Sequence, residues 1–473
     1  MFAPKIRQVL VIGLGGRGRA ACELLSRSGV KVVGVDLADT ADLREGARQL
    51  RRLGVEVMLG ADAPPDRDFI LAVLSPAVPS NTPIVQAVRR SDLPVISDLE
   101  LGFQQTKCLC IAIAGTNGKG TTAGLIERML KTNHRRTLVS GHRARPVCSV
   151  VAQTQELDFL ILQANVFQLE TTEFFQPAIA VLLNLSPDHL DRYANAADYV
   201  RANARLLRNQ QPFDWAVVQS DALAQLRKLG LPLPGRITTF SATDPAADLF
   251  LDRGLVQSRI PDWPGPLLNT DHCLLRGPHN AENLMAALAV GRALRLPLDS
   301  MSDSLKTSTA GPHRCELVAE INGIQFINDS KAANVDALHK ALMTARPGPL
   351  GEPNVCLIAG GRDHGQEFHT VGPILSQRVK RAFLLGDARE NMRAAWGLFT
   401  PCKLADSLLE AFTEAARTAS SGDVVLLSPA CSSPDQSQDR EKLGDVFCHA
   451  VKSIGRGVPT GTPYMNGRIV EIL

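Results

Sequence analysis

The residues of this chain that are best suited to do chemistry lie in a glycine-rich segment built around a lysine. Residues 115–122 read Gly-Thr-Asn-Gly-Lys-Gly-Thr-Thr, after an apolar run at 108–114 and before apolar residues at helical spacing. A strand, a glycine turn and a helix together present backbone N–H groups to phosphate oxygens, while a lysine offsets their charge. The strict P-loop pattern requires Gly at the position of Ile113 and Ser or Thr at the position of Gly120. A plain strand-to-helix turn is therefore the alternative interpretation.

A second glycine-rich segment follows the first apolar run of the chain. Residues 13–18 read Gly-Leu-Gly-Gly-Arg-Gly, and Asp36 ends the next apolar run. Glycines in this pattern with an acid about 20 residues further on form the dinucleotide fingerprint. Alone it favours an NAD-dependent oxidoreductase, but any nucleotide-binding Rossmann-like domain needs these glycines. That model also leaves the lysine segment without a role.

Composition narrows the class of protein. Of the 473 residues, 45% are hydrophobic and 21% are charged, with a net charge of +3. This mild balance argues against a nucleic-acid partner. The apolar runs are far shorter than the ~20 residues that span a bilayer, and no signal-peptide pattern precedes the first strand, so we expect no membrane partner. The ten cysteines lack paired CxxC spacing. We therefore expect a reduced, cytoplasmic protein.

Three α/β units follow one another along the chain. We predict domains at residues 1–103, 104–305 and 306–455, with a loosely held tail at 456–473. Short buried runs alternate with helical stretches in each unit, which is typical of parallel sheets. Asn322-Gly323 between two apolar runs predicts a two-residue hairpin in the third.

Seven segments, in order, resemble the Mur ligase family over nearly the whole chain. They are residues 114–121, 167–172, 184–193, 311–314, 328–334, 360–363 and 428–433. The resemblance implies an α/β fold of three domains: a Rossmann-like N-terminal domain, a central P-loop ATPase-like domain and a C-terminal Rossmann-like domain. It also implies amide formation driven by ATP through an acyl phosphate, in peptidoglycan precursor synthesis. The implied cofactors are ATP and Mg²⁺, and the substrates are UDP-N-acetylmuramoyl-L-alanine and glutamate. We expect a monomer.

The resemblance also implies roles for individual residues. Lys119 and His189 would be catalytic. The ATP-binding residues would be Gly115, Thr116, Asn117, Gly118, Lys119, Gly120, Thr121, Asn280, Asn283, Arg314 and Asp329. The UDP end of the substrate would contact Gly13, Gly15, Gly16, Arg17, Asp36 and Ser75. The amino acid would be oriented by Lys331, His364, Ser433 and Arg440, and the metal would be held by Thr121, His189 and Gln163.

Several positions depart from the family pattern. Gln163 stands where the family has an acidic metal ligand, and Asn203 stands where it has a carbamylated lysine. In the amino-acid pocket, Ala333 replaces a hydroxyl residue, while His364 and Arg440 replace a lysine and a phenylalanine. Two interpretations remain: an active ligase with altered ligands, or a nucleotide-binding relative that has lost ligation or uses another amino acid.

Overall fold

The computed structural model describes residues 8–142, 144–186, 188, 192–233, 235–348, 351–363, 365–431 and 438–455, without the side chains of 438–440 and 455. The strands are β1 Gln8–Ile12, β2 Lys31–Asp36, β3 Glu56–Leu59, β4 Leu71–Leu74, β5 Val95–Ser97, β6 Leu109–Ala114, β7 Thr137–Ser140, β8 Phe159–Gln163, β9 Ile179–Leu182, β10 Trp215–Gln219, β11 Arg236–Ser241, β12 Leu249–Asp252, β13 Leu255–Ser258, β14 Gly265–Asn269, β15 Glu316–Ile321, β16 Ile324–Asn328, β17 Val355–Gly360, β18 Val379–Leu385, β19 Cys402–Leu404 and β20 Val424–Leu427.

The α-helices are α1 Gly16–Arg27, α2 Ala41–Arg52, α3 Pro83–Arg90, α4 Asp98–Gln105, α5 Lys119–Thr132, α6 Val166–Leu169, α7 Ala196–Ala204, α8 Ser220–Lys228, α9 Pro278–Ala293, α10 Leu298–Lys306, α11 Val335–Thr344, α12 Gly372–Arg378, α13 Arg389–Trp396, α14 Leu408–Thr418 and α15 Gln438–Gly455. Short 3₁₀ turns at Val147–Ser149, Val151–Glu156, Arg205–Leu207, Thr270–His272 and Phe368–Val371 complete them. No helix in the described ranges is both long and apolar enough to cross a bilayer.

The first sheet is parallel, with strand order β3-β2-β1-β4-β5. Successive residues of β1 alternate between its two faces: Val9 and Val11 belong to one buried cluster, Leu10 and Ile12 to the other. This alternation buries both faces under helices, as a parallel sheet requires. The order in which the strands are added reverses between β1 and β4, because β2 and β3 lie on one side of β1 and β4 and β5 on the other. A doubly wound sheet binds its ligand at such a point.

The second sheet has the order β14-β13-β12-β11-β10-β9-β6-β8-β7. Its strands from β7 to β12 pair in parallel, whereas β12, β13 and β14 form an antiparallel extension. Strand β6, which the apolar run before the lysine segment predicts, lies between β9 and β8 and leads into that segment. The carboxyl ends of these three strands therefore meet beside that segment.

The third sheet has the order β15-β16-β20-β17-β18-β19. The predicted hairpin is present: β15 and β16 are antiparallel, and their turn places Asn322 at φ +53° and Gly323 at φ +76°. Both values lie in the left-handed region that this pair of residues tolerates. The remaining pairings are parallel, so β16, β17 and β20 end at one edge of the sheet.

The described residues group into two compact units. The first takes its residues from Met1–Leu185, Asn195–Leu274 and Asn280–Ser308, and it contains the first two sheets. The second takes them from Ser186–Ala194, Leu275–His279 and Thr309–Leu473, and it contains the third sheet. The domain boundaries predicted from the sequence stay predictions. The tail at 456–473 lies outside the described residues.

Candidate active site

The lysine segment forms the turn between β6 and α5. Gly115 has φ +126° and Gly118 has φ +94°, conformations that glycine adopts without strain. Gly118 is the N-cap of α5, and Lys119 and Gly120 are its first residues. Lys119 Nζ donates to the carbonyl oxygens of Gly115 at 2.5 Å and Thr116 at 2.9 Å. A cation is thus held over a loop that ends in a helix N-terminus, an arrangement suited to phosphate binding.

Two residues without a role predicted from the sequence, Asn184 and Tyr199, hold this loop. The main-chain oxygen of Asn184 accepts from Thr116 N at 2.8 Å, and its side chain exchanges two 3.1 Å hydrogen bonds with the main chain of Asn117. The hydroxyls of Tyr199 and Thr116 are 2.8 Å apart. Asn184 follows β9, next to β6, and this position at the carboxyl end of a neighbouring strand could have identified it. Tyr199 carried no such signal.

Of the two predicted asparagines of α9, Asn283 contacts the lysine segment and Asn280 contacts Asn283. Asn283 Oδ1 accepts from the Thr122 hydroxyl at 3.1 Å, and Asn283 Nδ2 donates to Asn280 Oδ1 at 3.2 Å. Both asparagines are buried, as is Thr121 in the first turn of α5. The structure therefore brings most of the ATP residues predicted in this unit into one cluster.

The second glycine segment follows the carboxyl end of β1 and leads into α1. Asp36 Oδ2 accepts from Leu14 N at 2.6 Å, so the acid that was predicted to bind substrate also holds the loop. Gly13 has φ +87°, and a β-carbon there would lie 2.9 Å from that of Ser75. Gly15 is the N-cap of α1, and Gly16 is its first residue. These residues surround the point where the strand order reverses.

Arg17, also predicted to contact UDP, lies one residue inside α1. Its Nη2 donates to the carbonyl oxygen of Gly141 at 3.0 Å, and its Nε is 3.8 Å from Asp98 Oδ2. The side chain is mostly buried. It joins the glycine segment to two other parts of the same unit.

Gln163, a predicted metal ligand, and Asn203, which stands where the family has a carbamylated lysine, are both neutral. Gln163 ends β8, the neighbour of β6, and its half-buried carboxamide makes no hydrogen bond with the described residues. Asn203 is 1% exposed on α7; its Nδ2 donates to Tyr199 O at 2.9 Å, whereas its Oδ1 has no hydrogen-bond partner. Within the described ranges, no group of three or more His, Cys, Asp or Glu side chains is placed to hold a metal ion.

In the second unit, Asp329 and Arg314 lie together at the end of β16. Asp329 Oδ1 accepts from Cys315 N at 3.1 Å and its Oδ2 accepts from the Ser428 hydroxyl at 3.0 Å. Burial raises the pKa of Asp329 to about 7, although these donors and Arg314 oppose the shift. Burial also lowers the pKa of Arg314, which Asp329 counteracts. Lys331 Nζ pairs with Glu441 of α15 at 3.1 Å.

A cavity of about 300 Å³ lies in the same unit at the start of α11. Acidic side chains dominate its charged lining, namely Asp188, Asp336 and Glu367. Asn334, the N-cap of α11, donates from Nδ2 to Asp188 Oδ2 at 3.0 Å. The segment that carries Lys331 therefore leads into the helix that lines this cavity.

Four predicted site residues cannot be compared with the structure. His189, His364 and Ser433 lie outside the described residues, and the side chain of Arg440 is not described. Their roles stay predictions.

Two protein-family models match this chain. The family model for the Mur ligase middle domain matches residues 113–291, and that for the Mur ligase glutamate ligase domain matches residues 313–431. The chain belongs to the Mur ligase family. Its similarity to full-length members extends along almost all of its sequence.

Two such relatives are named UDP-N-acetylmuramoylalanine–D-glutamate ligase. The one from Acidobacterium capsulatum is 36% identical over 447 residues, which cover 94% of this chain and 95% of the relative. The one from Geobacter metallireducens is 34% identical over 463 residues, which cover 95% and 98%.

Solved structures support the fold. MurF ligase from Thermotoga maritima, in complex with ADP, matches with a TM-score of 0.61 at 16% identity, covering 95% of this chain and 99% of that one. UDP-N-acetylmuramate-alanine ligase MurC from the same organism matches with a TM-score of 0.59 at 19% identity, covering 95% and 99%. The predicted three-domain α/β fold is confirmed.

Proposed function

We propose that this protein is an ATP-dependent ligase that joins D-glutamate to UDP-N-acetylmuramoyl-L-alanine. The observation that carries the proposal is the position of Lys119, whose ammonium lies over the loop at the N-terminus of α5, 2.5 Å and 2.9 Å from two loop carbonyls. The near full-length similarity to two D-glutamate ligases supports the choice of substrates.

The reaction divides between the residues as follows. The substrate carboxylate attacks the γ-phosphorus of ATP, ADP leaves, and an acyl phosphate forms. The amine of D-glutamate then attacks the acyl carbon and expels phosphate, with loss of a proton from nitrogen. Lys119 and the backbone N–H groups of the lysine loop would stabilise charge on the transferring phosphoryl group. The loop keeps its shape through Asn184 and Asn283, so these donors are positioned before ATP binds.

Mg²⁺ would neutralise charge on the nucleotide phosphates. Thr121 and Gln163 offer the neutral oxygen ligands that this hard cation accepts, and His189 is the remaining predicted ligand. Since neither described donor carries a negative charge, the phosphates themselves would supply the anionic ligands. In this chain Mg²⁺ affinity would therefore depend strongly on bound nucleotide.

The N-terminal glycine segment would hold the UDP end of the substrate, and the third sheet would supply the amino-acid site around Lys331. We also propose that the protein acts as a cytoplasmic monomer in cell-wall precursor synthesis, and so in cell shape and division. These assignments rest on the class of reaction and on the similarity to the ligases named above.

The test is phosphate release from ATP with UDP-N-acetylmuramoyl-L-alanine, Mg²⁺ and a panel of amino acids. We expect release that requires D-glutamate and equals the amount of amide product. Release with a different amino acid would overturn the choice of D-glutamate. The panel is needed because Ala333 stands where the family has a hydroxyl residue in the amino-acid pocket.

A second candidate is a nucleotide-binding regulator without turnover. The neutral side chains of Gln163 and Asn203, at positions where the family carries anionic ligands, favour it. ATP binding without phosphate release, under any amino acid of the panel, would support this alternative and overturn the ligase.

A further inference from the structure

Two carboxylates on α4 are buried almost completely. Asp98 is 1% exposed and Glu100 is 0% exposed, although acidic residues are rarely buried unless they are paired. The helix connects the first sheet to β6 of the second. The residues that contact these two carboxylates therefore connect the two sheets of the first unit.

Asp98 binds Gln168 and lies beside Arg17. Gln168 Nε2 is 3.0 Å from each carboxylate oxygen of Asp98, and Gln168 Oε1 accepts from Asn165 N at 3.1 Å. Because a backbone N–H fixes which end of the amide is the oxygen, the NH₂ group must face Asp98. The remaining charge of Asp98 faces Arg17 Nε at 3.8 Å.

Arg17 in turn holds the turn that follows β7. Its Nη2 donates to Gly141 O at 3.0 Å, and Gly141 has φ +90°. A β-carbon at Gly141 would lie 2.7 Å from Gln163 O, so this turn touches the end of β8. One guanidinium thus joins the glycine segment, α4 and the turn after β7.

Glu100 has a different set of partners. Its oxygens accept from Glu173 N and Phe174 N at 3.1 Å each, and from Gln104 Nε2 at 2.6 Å. It docks α4 on the main chain without contacting Arg17. It is therefore a natural control: a second buried carboxylate, two residues away, with no link to the glycine segment.

We propose that Arg17 is a positioning residue, held by Asp98 and Gly141, that sets the glycine segment for a nucleoside diphosphate. The phosphates then bind the backbone N–H groups at the start of α1 rather than the guanidinium, whose charge Asp98 already offsets. The inference rests on the proposed function, because it takes UDP as the group bound at this segment. It differs from that function in assigning Asp98 and Gln168 to substrate affinity.

The experiment is titration calorimetry of UDP binding to the full-length protein. Arg17→Gln and Asp98→Asn should each weaken UDP binding about tenfold, and the double variant should be no weaker than either single one. Arg17→Lys should resemble Arg17→Gln, because a lysine lacks the planar fork that reaches both partners. Glu100→Gln should leave UDP affinity unchanged while lowering the melting temperature.

Direct binding of the phosphates by Arg17 predicts different changes in UDP affinity. If Arg17 bound the phosphates directly, Asp98→Asn would strengthen UDP binding by removing a competing charge, and Arg17→Lys would keep most of the affinity. Either result overturns the inference. Unchanged binding of a non-hydrolysable ATP analogue confirms that each variant is folded. A wild-type protein that binds no UDP would instead overturn the UDP site itself, and this inference with it.

Discussion

The carboxamide oxygen of Asn283 occupies the space in which a side chain on Gly118 would begin. A β-carbon at Gly118 would lie 2.5 Å from Asn283 Oδ1, and the same oxygen accepts the Thr122 hydroxyl at 3.1 Å. Gly118 also has φ +94°. Glycine is therefore required twice at this position, by the backbone conformation and by the approach of α9 to the lysine loop.

Replacing Gly118 with alanine should disrupt both relationships. We expect Gly118→Ala to lower the free energy of unfolding by about 2 kcal/mol, through a strained φ and a displaced Asn283, and to weaken ATP binding. Urea unfolding and calorimetry measure the two effects. Gly124→Ala is the control, because a β-carbon on this exposed residue of α5 meets no atom within 4 Å. It should raise the free energy of unfolding by up to about 1 kcal/mol. An equal loss of stability in both variants would show that the φ of Gly118 and its approach to Asn283 are not the cause.

Lys119 should be essential for turnover but not for folding. We expect Lys119→Ala to lower the rate of ADP formation by at least about 100-fold, because a charge that stabilises the transferring phosphoryl group is lost. The melting temperature should change little. Lys131→Ala is the matched control on the same helix, where the lysine pairs with Glu127 at 2.8 Å on the surface. Normal ADP formation by Lys119→Ala would show that the phosphate site has been placed wrongly.

The sequence predicted local features of this fold better than its long-range contacts. The β15–β16 hairpin follows from Asn322-Gly323 alone, and the lysine loop follows from its glycines and the flanking apolar run. Polar strands such as β11, which reads Arg-Ile-Thr-Thr-Phe-Ser, carry little apolar periodicity and were not predicted. Tyr199 lies 83 positions from Thr116, so only the folded chain shows that their hydroxyls meet.

Asn203 should lower the free energy of unfolding, because of its buried side-chain oxygen. Its Oδ1 is buried without a hydrogen-bond partner, and such an orphaned acceptor costs about 1–3 kcal/mol. We therefore expect Asn203→Leu, of similar volume, to raise the free energy of unfolding by about 1 kcal/mol. Asn195→Ala on the same helix should lower it by about 1 kcal/mol, because Asn195 Oδ1 caps α7 by accepting from Asp198 N. A loss of stability in Asn203→Leu would mean that its oxygen is satisfied in solution.

Asp329 should make stability depend on pH. Its pKa of about 7 in the folded protein lies above the value of about 4 expected in the unfolded chain. Between these values the folded protein holds more protons, so this group lowers the free energy of unfolding as pH rises, by roughly 1 kcal/mol per unit. Asp329→Asn should remove that slope. The stability of this variant relative to wild type, measured by urea unfolding, should therefore increase between pH 5 and pH 7.

Ser428→Ala removes a donor to the charged carboxylate of Asp329 and should extend the fall in the free energy of unfolding to higher pH. A constant difference between Asp329→Asn and wild type across this range would mean that the carboxylate is ionised throughout and that burial does not raise its pKa.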